Sequence, residues 1–336
     1  MRKFDPSEHP VPFVHRLLLA GVAPRPIAFV GTLNADGTPN VSPFSYFNAF
    51  GANPPVIAIS PAYRGTDGTA KHTFLNIKER GEFTVNAVTY SMVEQVSLAS
   101  SNYEAGVNEF VKAGLTPIAS TKVHPPRVGE SPYALECKLL EHVELGGKPG
   151  SGNLLIGEIV MFHVKKSVMD GDTLDTQKLD LVARMGYNYY CRASGDAVFE
   201  LQKPKHNGIG FDMLPNHMAH SPIYTNGDLA RFAGVDALPD TKTIFALWIE
   251  ELKSTAQAST DADSFHIELR AGNPERALHV LIHSIFDGAS DISLLSISLQ
   301  RCAQEFIRQG ESAKAWDCAL MAEPHTLQKF LHDLRS

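Results

Sequence analysis

A chain of 336 residues that is 43% hydrophobic holds enough apolar side chains for one large core or two modest ones, which excludes a disordered polypeptide. Its formal net charge of −7 and pI near 6.0 lack the basic footprint that phosphate-backbone contacts demand, so nucleic acid is not an expected partner. No run of about eighteen apolar residues occurs, and Cys137, Cys191, Cys302 and Cys318 form no CxxC pair, so we expect a cytoplasmic protein with no membrane span, zinc site or disulfide framework.

From residue 25 onward, short runs rich in Val, Ile and Phe and bounded by Gly, Pro and Asn predict strands: RPIAFVGTL, PPVIAISP, GEFTVNAVTY and NLLIGEIVMFHV. Asp36-Gly37 predicts a hairpin between the first two strands, because glycine accepts the positive φ of a tight primed turn. The stretch GTAKHTFLNIKERGEF predicts a helix, with Thr69 able to cap its start and Gly81 placed to end it. Its first turn carries Lys71, His72 and Thr73, where acidic residues would better suit the positive end of the helix dipole. Unpaired N–H groups together with a cation and a hydroxyl suit a phosphate, and a solvated helix start accounts for the same stretch equally well. Few long helical patterns separate the strands, which favours an antiparallel barrel over a doubly wound parallel sheet.

Near GVDALPDTKT the pattern changes, and we divide the chain there into residues 1–240 and a helical extension, 241–336. TIFALWIEELK, ERALHVLIHSIF and ISLLSISLQRCAQEFIRQG carry apolar residues at helical spacing. Leu278, Leu281, Ile282, Ile285, Leu294, Leu295, Leu299, Phe306, Trp316 and the residues around Trp248 supply a core of their own. RAGNPERAL and RQGESAKAW align in register, a weak twofold hint of a helical-hairpin repeat that chance similarity of amphipathic helices also explains. Nucleotide fingerprints are missing: GIGFDM lacks a third glycine, and GGKPGSGN has no Ser or Thr after its lysine. There is no HExxH and no GxSxG, so neither a metal centre nor a serine hydrolase is expected.

The order of PRPIAFVGT, NVSPFSYFNAF, NPPVIAISP, KHTFLNIKERGEFTVNAV and LVARMGYNYY resembles the flavin reductase-like family, whose members bind FMN on a split β-barrel. The fold class this implies is α+β, an antiparallel FMN-binding split β-barrel followed by a small helical domain. The resemblance covers roughly residues 10 to 240 and implies an FMN-dependent oxidoreductase that takes a hydride from NADH or NADPH and passes electrons to free flavin or a small acceptor. Lys71 and Thr73 match the family's phosphate motif, while His72 stands where relatives commonly show Asp, an imidazole that would strengthen anion binding when protonated. The family's flavin-lining strand maps onto Ser42, Ser45, Phe47 and Asn48, with strict alternation placing Ser42, Phe44, Tyr46 and Asn48 on one side unless a bulge at Pro43 changes the register. Arg25, Arg184 and Ser60 are further expected ligands of phosphate or flavin edge. Relatives form homodimers, so the second chain is expected to contribute to the site. The alternative is a non-catalytic FMN-binding electron carrier whose helical extension docks a protein partner.

Overall fold

A computed structural model describes residues 1–104, 106–201, 203, 207–239 and 262–335. Two compact units divide the chain, Met1–Glu200 and Leu201–Ser336. The helix expected in TIFALWIEELK, with Trp248, lies outside the described residues.

In the first unit seven strands form one sheet: β2 (Ala28–Leu33), β3 (Pro39–Phe44), β4 (Phe47–Ala52), β5 (Pro55–Ile59), β6 (Glu82–Ala87), β9 (Tyr133–Glu144) and β10 (Asn153–Val164). Their order is β3-β2-β6-β9-β10-β5-β4, with every pairing antiparallel. The two edge strands, β3 and β4, are consecutive in the chain and joined only through Ser45 and Tyr46, so the sheet curls until its edges meet as a split barrel. Short strands β7 (Pro117–Ile118) and β8 (Arg127–Val128) pair beside it, as do β11 (Met169–Asp170) and β12 (Thr173–Leu174). A separate sheet joins β1 (Arg25–Pro26), β13 (Leu181–Arg184) and β14 (Tyr190–Ala193).

Each face of the sheet is covered. Ala28, Val30, Ile57, Ile59, Phe83 and Leu155 meet Phe74 and Ile77 of α2 (His72–Arg80) in one core, and Phe29 and Val41 meet Met92, Val96 and Phe110 in another. Burial on both faces explains why β2 reads as an unbroken apolar run rather than an alternating one. Gly157 is required where it stands, because a Cβ there would lie 2.5 Å from Cζ of the buried Phe83. The β2–β3 hairpin forms as expected, with a different turn: Gly37 N donates to Asn34 O and Gly37 takes a φ of 85°, so a wider loop with its glycine in the left-handed region replaces the two-residue primed turn. Helix α1 (Val11–Gly21) precedes β1, and no residue of α1 is fully buried.

The second unit begins about forty residues before the expected boundary. Leu214, Met218, Tyr224, Leu229 and Phe232 belong to the same core as Trp316 and Phe306, and the Phe232 and Trp316 rings meet edge to face at 5.2 Å. These residues come from a loop and two short helices, among them one at Asn226–Phe232, whose lack of long periodicity made them look like the tail of the barrel. For the later helices we use αA (Ala262–Arg270), αB (Pro274–Phe286), αC (Ile292–Arg308), αD (Ser312–Met321) and αE (Pro324–Arg335). Leu294, expected in the core, is 59% exposed. The aligned segments become matching turns. Gly272 (φ 74°) and Gly310 (φ 84°) end αA and αC, and each is followed by a residue whose N–H reaches back, Asn273 to Glu268 O and Glu311 to Phe306 O. Gln309 Nε2 donates to Gly272 O at 2.8 Å, so the two turns touch.

Candidate functional site

At the β3–β4 turn of the barrel unit a cavity of about 390 Å³ opens, bounded by α1, β1, β13 and the loop between β5 and α2. Of the residues singled out in the sequence, it brings together Arg25, Ser45, Ser60, Lys71 and Arg184. Ser42, Phe47, Asn48 and Thr73 do not line it. The strand from 40 to 50 does not run straight: it breaks at Ser45-Tyr46, so Pro43, Phe44, Ser45 and Tyr46 all face the cavity in succession and the expected alternation is lost. Phe47 packs against the barrel core, and Asn48 is exposed with its Oδ1 accepting from Ala49 N.

Lys71 occupies the N-cap position of α2 in extended conformation and provides no side-chain cap, and the first turn holds no acidic residue. Thr69, the expected cap, is used elsewhere: its hydroxyl donates to Asp67 and accepts from Arg64 Nη1 at 2.9 Å. The start of α2 therefore keeps the uncapped N–H groups and partial positive charge of a helix end. Thr73 is 2% exposed, and its hydroxyl donates inward to Asn40 Oδ1 at 3.1 Å. Asn40 also accepts from Thr32 and donates to the buried Glu109, while Asn76 donates to Thr32 and Asn34, a polar network that fixes the helix on β2 and β3.

Charge in the cavity is of one sign. Arg25 and Arg184 are direct cross-strand partners in the β1–β13 ladder, an arrangement that costs stability for like charges. Lys71 and Arg64 line the same space, and among the described lining residues there is no carboxylate. Burial, then the Arg64 charge, holds the Lys71 ammonium below its ordinary range, and burial followed by repulsion from Arg64 and Lys71 lowers His72. His72 does not line the cavity, and the lowered pKa disfavours the protonated imidazole that would strengthen anion binding. For Arg25 burial again lowers the pKa, with Arg184 adding to it against the opposing effect of Tyr46.

Arg25 differs from the others in being spoken for. Its Nη1 donates to Leu19 O and Val22 O at the end of α1, its Nη2 to Met185 O at 3.1 Å, and its Nε to Ser45 Oγ at 3.3 Å. One side chain thus ties α1, the end of β13 and the β3–β4 turn together. Gly186 assists, since a Cβ there would lie 3.0 Å from Ala20 Cα and push the loop off α1. Arg184 instead lies over the Tyr190 ring at 4.5 Å. Sequence reasoning missed His15, Tyr46, Tyr63, Arg64 and Asn102 as lining residues. Arg64 had a signal, a cation seven positions before Lys71 in a Gly- and Thr-rich loop; His15 had none, because only the tertiary fold brings α1 to the cavity.

Among the described residues no helix is long and apolar enough to cross a membrane, and no cluster of His, Cys, Asp or Glu could hold a metal ion. A family model described as a flavin reductase like domain matches residues 20–179. An uncharacterized protein of Halalkalibacterium halodurans, BH2278, is 38% identical over 192 residues, which span 56% of this chain and 90% of that protein. The crystal structure of nitrilotriacetate monooxygenase component B from Bacillus cereus superposes with a TM-score of 0.56 at 32% identity, over 60% of this chain and 98% of that one. A 2-nitrobenzoate 2-nitroreductase of Pseudomonas fluorescens, NbaA, gives 0.53 at 28% identity, over 60% and 96%.

Proposed function

The chain belongs to the flavin reductase-like family, and on that premise we propose that it is an FMN-dependent oxidoreductase that takes a hydride from NADH or NADPH and passes the electrons to free flavin or a small acceptor. The observation that carries this reading is the crowding of Arg25, Arg184, Arg64 and Lys71 around one cavity with no carboxylate among the described lining residues. Such a set is costly without an anion and favourable with one. The residues present fit a flavin monophosphate. Lys71 and the uncapped start of α2 would hold its phosphate, with Arg64 beside them. Ser45 and Ser60 offer hydroxyls in the same cavity, and Tyr46 and Arg184 present a ring and a planar cation.

When bound, FMN supplies the hydride-accepting chemistry itself. The chain's part is to bind, orient and balance charge. Arg25 holds Ser45 and the wall of α1 in place, so it acts through its neighbours rather than on the flavin. Positive charge from Arg184 suits the negative charge that a reduced flavin acquires. We further propose a homodimer: Leu17, Leu18 and Val22 of the α1 region are exposed together with Phe4, an apolar face beside the cavity that a second chain would cover.

The deciding experiment is the absorbance spectrum of purified protein with added FMN, followed by anaerobic titration with NADH and with NADPH. Retention of FMN and bleaching of the flavin band by either nucleotide are expected. Retention without bleaching would replace the enzyme with an electron carrier, and failure to bind FMN, or selective retention of FAD, would remove the reading altogether.

A further inference from the structure

The helical unit holds a cavity of its own, of about 450 Å³, walled by the loop at Pro222-Ile223, by αA and by αC. Ile223 and Leu269 give it an apolar side. Arg270 and His266, four residues apart and so on one face of αA, and Arg301 on αC give it a basic one. Other charged groups of the helical unit are engaged. Arg308, about two turns after Arg301 on the same helix, is bonded to the buried Asp228 at 3.0 Å, Lys314 pairs with Glu275 at 2.9 Å, and Arg276 lies 4.0 Å from Glu268. Gln304 Nε2 donates both its hydrogens, to Ile223 O and to Asp228 Oδ2. Glu305, the carboxylate in the cavity wall, accepts from Gln309 at 3.0 Å.

Among the described residues Arg270 and Arg301 have no hydrogen-bond or ion-pair partner. In a chain of net charge −7 acids are plentiful, yet these two guanidinium groups, from different helices, converge on a concavity with neither neutralised. Guanidinium is weakly hydrated and presents a rigid fork that matches the oxygens of carboxylate or phosphate. The volume falls in the range of small-molecule sites rather than of an extended peptide groove.

We propose that this cavity binds a small organic anion, its carboxylate or phosphate held by Arg270 and Arg301 and its apolar body resting on Ile223 and Leu269. The inference stands on the helical unit alone and is independent of the flavin reading. Isothermal titration of the full chain with sodium benzoate, and separately with inorganic phosphate, tests it. Saturable binding of at least one probe is expected, at least tenfold weaker in Arg301→Gln and in Arg270→Gln and retained in Lys71→Ala, which locates it away from the barrel cavity. Both arginines are exposed, so the variants should keep the far-UV circular dichroism of the parent; Arg301→Lys, which keeps charge without the fork, serves as a second probe and should weaken binding partially. Benzoate binding without phosphate binding assigns a carboxylate, and the reverse assigns a phosphate. The proposal is overturned if neither probe binds saturably up to about 10 mM, if affinity is unchanged in Arg270→Gln/Arg301→Gln, or if binding is lost only in Lys71→Ala.

Discussion

Two regions of this molecule treat buried charge in opposite ways. In the helical unit, Asp228 is 4% exposed and fully engaged: it accepts from Thr225 in a reciprocal capping box, from Gln304, and from Arg308 through two nitrogens. Burial alone would raise its pKa, but those hydrogen bonds, led by Arg308, outweigh it and hold the group at about 2. Around the barrel cavity, Lys71 and Arg184 face other cations, and Lys71 is pushed below its ordinary range with nothing to offset it. A charge that is paired inside the chain fastens the fold, whereas charges of one sign left facing each other cost stability that only something outside the chain can return.

The comparison breaks first at the boundary between the units. A chain ending at Glu200 should be soluble and retain FMN. One ending at Asp240 should aggregate, because Met218, Leu229 and Phe232 lose Trp316 and Phe306 and are left uncovered. Size-exclusion chromatography of the two truncations reads this directly, and a monodisperse 1–240 chain would restore the downstream boundary. Next in size is Trp316→Ala, which empties the centre of the helical core. A loss of about 3 to 5 kcal/mol is expected in chemical denaturation of that unit, with the FMN affinity of the barrel unit unchanged.

Acid should act on the paired region. A carboxyl whose folded pKa is depressed contributes its stability above its unfolded value, and that contribution disappears as pH falls through the folded one. For Asp228 the window lies between about 4 and about 2, and about 2 kcal/mol should be lost across it. Asp228→Asn should flatten this part of the stability curve, as measured by denaturation at successive pH values. The smallest effect belongs to the unpaired region. Lys71→Ala should weaken FMN binding about tenfold at low salt, as for a charged hydrogen bond, and less at high ionic strength. The stability of the FMN-free protein should change by under about 0.5 kcal/mol. A dissociation constant insensitive to both the substitution and salt would take Lys71 out of the site.

Much of the barrel was legible because its signals are local. Period and composition marked β2, β5, β6 and β10, Gly81 ended α2 with a φ of 69°, and Asp36-Gly37 made its hairpin. What was not legible depends on partners distant in sequence. Pro43 hints at an irregularity in NVSPFSYFNAF, but nothing there announces that the sheet must fold back two residues later, between Ser45 and Tyr46. Arg25 read as a ligand of phosphate or flavin, and its structural bonds went unseen because three of its four acceptors are backbone carbonyls, which have no letter in the sequence. Thr73 kept its place in the motif, yet its hydroxyl turns to Asn40, thirty-three positions away. The boundary slipped because the segment at 207–239 contributes its apolar residues singly from turns and short helices rather than in a periodic run.

The twin turns at Gly272 and Gly310 carry one more consequence. Each closes a helix by the same bond pattern, and Gln309 of the later turn reaches the carbonyl of the earlier glycine. A contact of this kind joins one hairpin to the next without reference to what precedes or follows the pair. Because both glycines stand at positive φ, a substitution at either strains the end of its own helix and also loosens the bond that couples the two turns, so damage at one helix end is felt at the other.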